Sequence, residues 1–179
     1  MKRIFIVGAM GAGKTAVGRE LARALKFSFH DTDQEVCERT GVDIAFIFEK
    51  EGESGFRNRE TQALSDLAKQ NECVIATGGG IVVGAFNNNL MKSSGVVVYL
   101  AVSPEVQKIR ARRGPNRPLL DHEDLDQTLT KLAVARSPLY SAIADIVVET
   151  DYRRVGDVTH EVLEKLREFH GTQGSRDSS

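Results

Sequence analysis

The sequence predicts a single three-layer α/β domain, a parallel sheet with helices on both faces. Three observations predict it. Apolar, β-branched runs alternate with helical patterns along the 179 residues, as successive βαβ units require. The runs are continuously apolar, which is what strands become when both faces of a sheet are covered. Glycine-rich or acidic segments follow three of these runs, at the carboxyl ends where such sheets bind ligands.

The elements follow in order. "IFIVG" (4–8) reads as the first strand. The start, "MKRIFIVGAMG", has basic residues and then an apolar run, but that run soon meets a glycine-rich segment and shows no small-residue cleavage site, so a buried strand is the better reading. A helix is expected over about 15–25, a short strand "SFH" over 28–30, and a helix from near Gln34 after "DTD". Short helical segments cover about 43–50 and 54–69. "CVIATGGG" (73–80) is a strand running into a glycine turn, and "GVVVYLAV" (95–102) is a fourth strand. Pro104 opens the next helix, as proline at a first helical position tends to do. The segment 112–124, "RRGPNRPLLDHED", reads as a loop from its prolines, glycine and clustered charges. A helix to Tyr140, the strand "DIVVET" (145–150) and a last helix over about 155–169 complete a domain spanning 1–170, with 171–179 as a disordered polar tail.

A chain of this length buries roughly 70% of its unfolded surface and closes a core without staples. Its composition, 41% hydrophobic and 27% charged, is that of a water-soluble globular domain. The net charge of −1 argues against a nucleic-acid binder, which would present a basic surface. Any bound anion must therefore be held by local charges. Cys37 and Cys73 have no CxxC spacing, and two free thiols fit a reducing cytoplasm. No run reaches the ~18 apolar residues of a membrane span. Nothing reads as an exposed seam, so a monomer is expected.

Chemistry concentrates at three strand ends. "GAMGAGKT", Gly8 to Thr15, is a full G-x-x-x-x-G-K-[ST] phosphate loop between a strand and a helix. Its backbone N–H groups and the helix dipole would meet phosphate oxygens, Lys14 would reach the β- and γ-phosphates, and Thr15 would ligate Mg²⁺. "HDTD" ends the second strand. If extended, Asp31 and Asp33 point the same way. One could cap the next helix, but capping explains one carboxylate, not two beside a phosphate site. "TGGG", Thr77 to Gly80, carries more glycine than a tight turn needs, as a close approach of backbone to ligand would explain. Further along, Leu125, Leu129, Leu132, Leu139 and Tyr140 form an apolar helical stripe that includes Arg136. A guanidinium facing inward costs roughly several kcal/mol unless an anion meets it.

The D-x-x-G and N-K-x-D motifs of a GTPase are absent from the chain. Motor ATPases need more chain and usually a basic track. A small kinase fits, with an acceptor that is both hydroxylated and anionic. A polyol acid such as gluconate would also meet that requirement.

"GAMGAGKT", "DTDQEV", "GFRNRE", "ATGGG", "RPLL" and "ARSPLY", in this order and spacing over about residues 2–150, resemble shikimate kinase. The resemblance implies a P-loop kinase fold with strand order 2-3-1-4-5, and ATP-dependent phosphorylation of the 3-hydroxyl of shikimate in aromatic amino-acid synthesis. It implies that Arg57 and Arg136 clamp the shikimate carboxylate, that Asp33 orients or deprotonates the attacking hydroxyl, and that Gly79 offers a backbone N–H. Gly11, Ala12, Gly13, Lys14, Thr15 and Ala16 would hold ATP. Mg²⁺ would be held by Thr15 and, through water, Asp31. Arg117 would swing in with the lid, 112–124, to stabilise the transferring phosphate. Arg110 and Arg153 are the expected adenine contacts, although "TDYRRVGD" lacks the proline many relatives have there. The loop also departs from the family in ending "GKTA" where "GKST" is frequent; threonine still supplies the hydroxyl.

Overall fold

The computed structural model describes residues 3–112 and 122–174. Its elements are β1 (Arg3–Val7), α1 (Lys14–Leu25), β2 (Ser28–Asp31), α2 (Thr32–Thr40), α3 (Ile44–Leu67), β3 (Cys73–Ala76), a 3-10 turn (Ile81–Val83), α4 (Ala85–Ser94), β4 (Val96–Ala101), α5 (Pro104–Arg112), α6 (His122–Ile143), β5 (Ile146–Glu149) and α7 (Val155–Gly174). The five strands are parallel, in the expected order β2-β3-β1-β4-β5.

The apolar runs are buried on both faces because successive side chains point to opposite sides of the sheet. Ile4 and Ile6 of β1 pack under Val17 and Leu21 of α1 and Val162 of α7. Phe5 and Val7 face the other way, onto Leu64 and Leu67 of α3, Met91 of α4 and Tyr140 of α6. A third cluster, Val36, Ile47, Phe56 and Ala63, joins α2 to α3 beyond the end of the sheet. Among the described residues no helix is long and apolar enough to cross a membrane.

The structure departs from the sequence reading in several places. The two segments 43–50 and 54–69 form one element, α3, bent at Gly52, where φ is 70° and ψ −174°. Helix α4 was not foreseen, because its "NNN" and paired serines favour caps and turns over helix interiors. Tertiary contacts form it instead: Met91 is fully buried, and the Asn88 side chain donates to the Val82 carbonyl at 2.8 Å. The ends of the expected lid are helical, with Arg112 in α5 and 122–124 in α6, and 113–121 lie outside the described residues. Helix α7 runs through Gly174, so four residues assigned to the tail are helical, and 175–179 are not described.

Candidate active site

The phosphate loop joins β1 to α1, with Gly13 at the helix N-cap at φ 90°, a left-handed setting that favours glycine. The loop thereby turns into the positive end of α1, an arrangement made for an anion. Lys14, the first residue of α1, donates its Nζ to the Ala9 carbonyl at 2.9 Å. Burial lowers its pKa to about 8, against the opposing pull of the Asp33 and Asp31 carboxylates. It is a part-buried cation set inside an anion cradle.

Asp31 ends β2 and does two jobs with two oxygens. Its Oδ1 accepts the N–H groups of Asp33 at 3.0 Å and Gln34 at 3.4 Å, capping α2, and its Oδ2 accepts the Thr15 hydroxyl at 2.8 Å. Capping and a phosphate-side role thus coexist. The alternation argument for the pair does not hold, because the strand stops at Asp31. Asp33 reaches the cavity from the first turn of α2. Burial raises the Asp33 pKa and so does the Asp31 charge, while Lys14 and Arg57 pull it down. One of its oxygens, Oδ1, is buried without a hydrogen-bond partner among the described residues.

Arg57 lies in α3 beyond the bend. Its Nη1 donates to Glu60 Oε2 at 2.7 Å and its Nη2 to Glu53 at 3.3 Å. Glu60 is fully buried, and its second oxygen, Oε1, has no partner among the described residues. Burial raises the Glu60 pKa, opposed by Arg57 and more weakly by Arg136, with Asp33 adding to the rise. Space explains two of the three glycines, 78 and 80. A Cβ on Gly78 would come within 2.4 Å of Glu60 Oε1 and 2.7 Å of Asp33 Oδ1, and one on Gly80 within 2.1 Å of the Arg57 guanidinium. Arg59, by contrast, pairs with Glu51 on the surface.

Arg136 does not sit in a core stripe. Leu129 and Tyr140 are buried, but Leu132 and Leu139 are each 36% exposed. The face carrying Leu129, Leu132, Arg136 and Tyr140 walls a cavity of about 320 Å³, which Lys14, Asp33, Arg57, Glu60, Gly78 to Gly80 and Gln107 also line. That volume is at the lower end for small-molecule sites, a size for a compact ligand. Two guanidinium groups from different helices, the carboxyl groups of Asp33 and Glu60 and the phosphate-loop lysine converge on one hollow.

A second hollow, of about 240 Å³, lies beyond the phosphate loop, lined by Gly11, Ala12, Gly13, Val17, Arg110, Thr150 and Arg153. Arg110 donates to the Gly11 carbonyl at 2.9 Å and the Thr150 carbonyl at 2.6 Å. Arg153 is engaged by Glu161 and the Glu149 and Asp157 carbonyls. Ala16 is exposed in the first turn of α1. Arg117 lies outside the described residues. Three residues were not singled out from sequence as site residues: Glu60, Gln107 and Tyr140. Helical spacing pointed to two of them, since Glu60 follows Arg57 by three positions and Tyr140 follows Arg136 by four. Gln107 carried no such signal.

Comparison with known proteins follows the same outline. A family model described as shikimate kinase matches residues 10–167. A shikimate kinase of Shewanella oneidensis is 47% identical over 165 residues, covering 92% of this chain and 96% of the relative. Among solved structures, a shikimate kinase from Acinetobacter baumannii in complex with shikimate superposes with a TM-score of 0.88 at 43% identity, covering 94% of both chains. The shikimate kinase of Aquifex aeolicus gives a TM-score of 0.81 at 39% identity, over 92% of this chain and 96% of that one.

Proposed function

The chain belongs to the shikimate kinase family, and from that premise we propose how its own residues move the γ-phosphate of ATP onto the 3-hydroxyl of shikimate. It is an ATP-dependent kinase that phosphorylates shikimate in the pathway to the aromatic amino acids. One observation carries the residue assignment: Arg57 and Arg136 line the same hollow as Asp33 and Lys14. An acid with ring hydroxyls is the ligand that answers both charges.

In this reading Arg57 and Arg136 clamp the shikimate carboxylate, where the planar fork of a guanidinium outperforms an ammonium. The clamp turns the ring so that its reacting hydroxyl lies beside Asp33. The carboxylate of Asp33 has an unpartnered buried oxygen and a raised pKa, which suit it to accept a hydrogen bond and then a proton. Gly79, a wall of the same hollow, would offer its N–H. Gly11, Ala12, Gly13, Thr15 and Ala16 hold the phosphates through loop and helix N–H groups, and Lys14 pairs with the β- and γ-phosphate charge. Nucleotide binding releases Lys14 from the Ala9 carbonyl and gives its part-buried charge a partner. Arg110 and Arg153 border the base site. Arg117 supplies transition-state charge from the lid.

Kinases that use ATP generally require Mg²⁺. The hydroxyl of Thr15 is a hard oxygen donor of the kind this ion takes, and the carboxylate of Asp31, 2.8 Å from it at the loop, would hold the ion through water. When bound, the ion would neutralise charge on the transferring phosphate. The reading is of a monomer acting on small molecules, without nucleic acid or membrane, and the net charge of −1 supports the absence of a nucleic-acid partner. The free thiols Cys37 and Cys73 support a cytoplasmic setting.

An acceptor screen tests the reading: ADP release is coupled to a detector with shikimate, quinate and gluconate offered in turn. Fast release with shikimate alone is expected. Turnover with gluconate and none with shikimate would overturn it.

A further inference from the structure

Tyr140 belongs to no phosphate or carboxylate contact assigned above, yet it touches the wall of the acceptor hollow from inside the core. Its ring is 1% exposed and stacks on Tyr99 of β4, with centroids 5.1 Å apart and planes 27° from parallel. Packing therefore fixes the ring whether or not a ligand is bound. Its hydroxyl donates to the carbonyl oxygen of Gly79. Burial pushes the phenol up to about 12, with Arg136 opposing, so it remains a donor across the working pH range. Arg136 stands one turn earlier on α6, on the same helix face.

The consequence comes from peptide geometry. The Gly79 carbonyl and the Gly80 N–H belong to one planar trans unit and point in opposite directions. A bond that fixes the carbonyl fixes the amide with it. Glycines at 78, 79 and 80 would otherwise leave this turn freer than any other sequence could. Gly80 is buried and lines the hollow against Arg57, and no carbonyl takes up its N–H among the described residues. A buried donor without a partner is rare in a finished structure and marks a place for a ligand acceptor.

We propose that Tyr140 is a positioning residue for the phosphoryl acceptor: its hydroxyl locks the Gly79–Gly80 peptide so that the Gly80 N–H is presented to the acceptor beside Arg57. The same hydroxyl accepts a hydrogen bond from Arg136 one turn earlier, so the phenol also steadies that guanidinium. One anchored phenol thus aligns a backbone donor and a guanidinium on a single ligand. This rests on the hollow being the shikimate site.

Tyr140→Phe deletes the hydroxyl and keeps the ring. The KM for shikimate should rise about tenfold, the cost of roughly one hydrogen bond, with kcat within about twofold and the KM for ATP unchanged. In ligand-free protein the Gly80 amide should shift in a ¹H–¹⁵N spectrum, while amides of α7 stay in place. Tyr99→Phe, which keeps the stack, should behave as wild type in both measurements. An unmoved Gly80 amide overturns the proposal, whatever the kinetics. So does an equal loss in shikimate KM, ATP KM and melting temperature, which would mean packing alone. Wild-type protein inert toward shikimate would overturn the functional reading instead, and the Gly80 amide would still report on the hydrogen bond.

Discussion

Arg57 hands one N–H of its guanidinium to Glu60 across 2.7 Å, and Glu60 is wholly buried while Arg57 borders the acceptor hollow. Only one oxygen of Glu60 is used, and Asp33 lies close enough to raise its pKa further. Glu60 is thus the fixed base on which half of the proposed carboxylate clamp rests. Removing one partner of a buried ion pair costs more than the pair contributes, because the other charge stays behind. Glu60→Ala should lower stability by about 3 kcal/mol and raise the KM for shikimate, with the KM for ATP spared. Denaturant titration and steady-state kinetics read both. A stable variant with normal shikimate KM would show that Arg57 needs no such base.

Asp33→Asn should bind ATP normally and lose most turnover, since only the proposed partner of the attacking hydroxyl changes. Its effect on stability has a definite sign. Burial raises the folded pKa of Asp33 above the ordinary value, so the charged form is the disfavoured one in the fold, and near neutral pH the protein bears that cost. The variant should therefore melt at a higher temperature at pH 7, and the gain should shrink as pH falls through the carboxylate range. Calorimetry at two pH values decides it.

Arg136→Ala should act on shikimate and little else. Losing charge-assisted hydrogen bonds to a carboxylate is worth roughly 2–3 kcal/mol, about 30- to 150-fold in KM. The melting temperature should move little, because the guanidinium faces a hollow and not the packed core. A KM close to wild type would take Arg136 out of the clamp.

Lys14 gives the nucleotide site its pH dependence. Its folded pKa is lowered to about 8 from 10.5, so between those values the free protein has shed a proton that the unfolded chain keeps. Triphosphate binding restores the charge. Titration calorimetry at pH 8.5 in buffers of different ionisation enthalpy should show proton uptake on ATP binding, and at pH 6.5 uptake at this group should vanish. Affinity should weaken as pH rises above about 8. Binding without proton uptake at either pH would mean that Lys14 stays charged in the empty loop.

Much of this site was legible because its chemistry is local in sequence. The phosphate loop, "HDTD" and "TGGG" each end a strand, and the order of strands in a parallel sheet brings those ends together. What could not be read was the supporting shell. Gln107, buried in α5, donates to the Met10 carbonyl at 3.0 Å across ninety-seven residues, and no spacing rule points that far. Asp33 was placed on the correct side for a wrong reason, by strand alternation in a segment that is already helical. Arg136 was read as a charge in a core stripe, when that helix face was turned to a hollow. Helix α4 was missed because its asparagines are held by carbonyls of the preceding turn, a tertiary fact.

Arg110 is where the nucleotide end of the site can be separated into packing and recognition. Its guanidinium edge is already committed: it reaches the Gly11 carbonyl at 2.9 Å, the Thr150 hydroxyl at 3.2 Å and the Thr150 carbonyl at 2.6 Å. These bonds tie the phosphate loop to the end of β5 and hold the group so that its flat face can meet a base. Lysine can supply one such bond but neither the fork nor the face. Arg110→Lys should therefore raise the KM for ATP by about tenfold, the worth of roughly one or two hydrogen bonds, with the shikimate KM unchanged. Arg153→Ala should do less, since that guanidinium is held by Glu161 and two carbonyls of β5 and α7, none of them in the phosphate loop. Assaying ATP against a nucleotide with a smaller base separates the two contributions. If Arg110 acts only through the loop, its replacement weakens both nucleotides equally; if it also stacks, the penalty is larger for ATP.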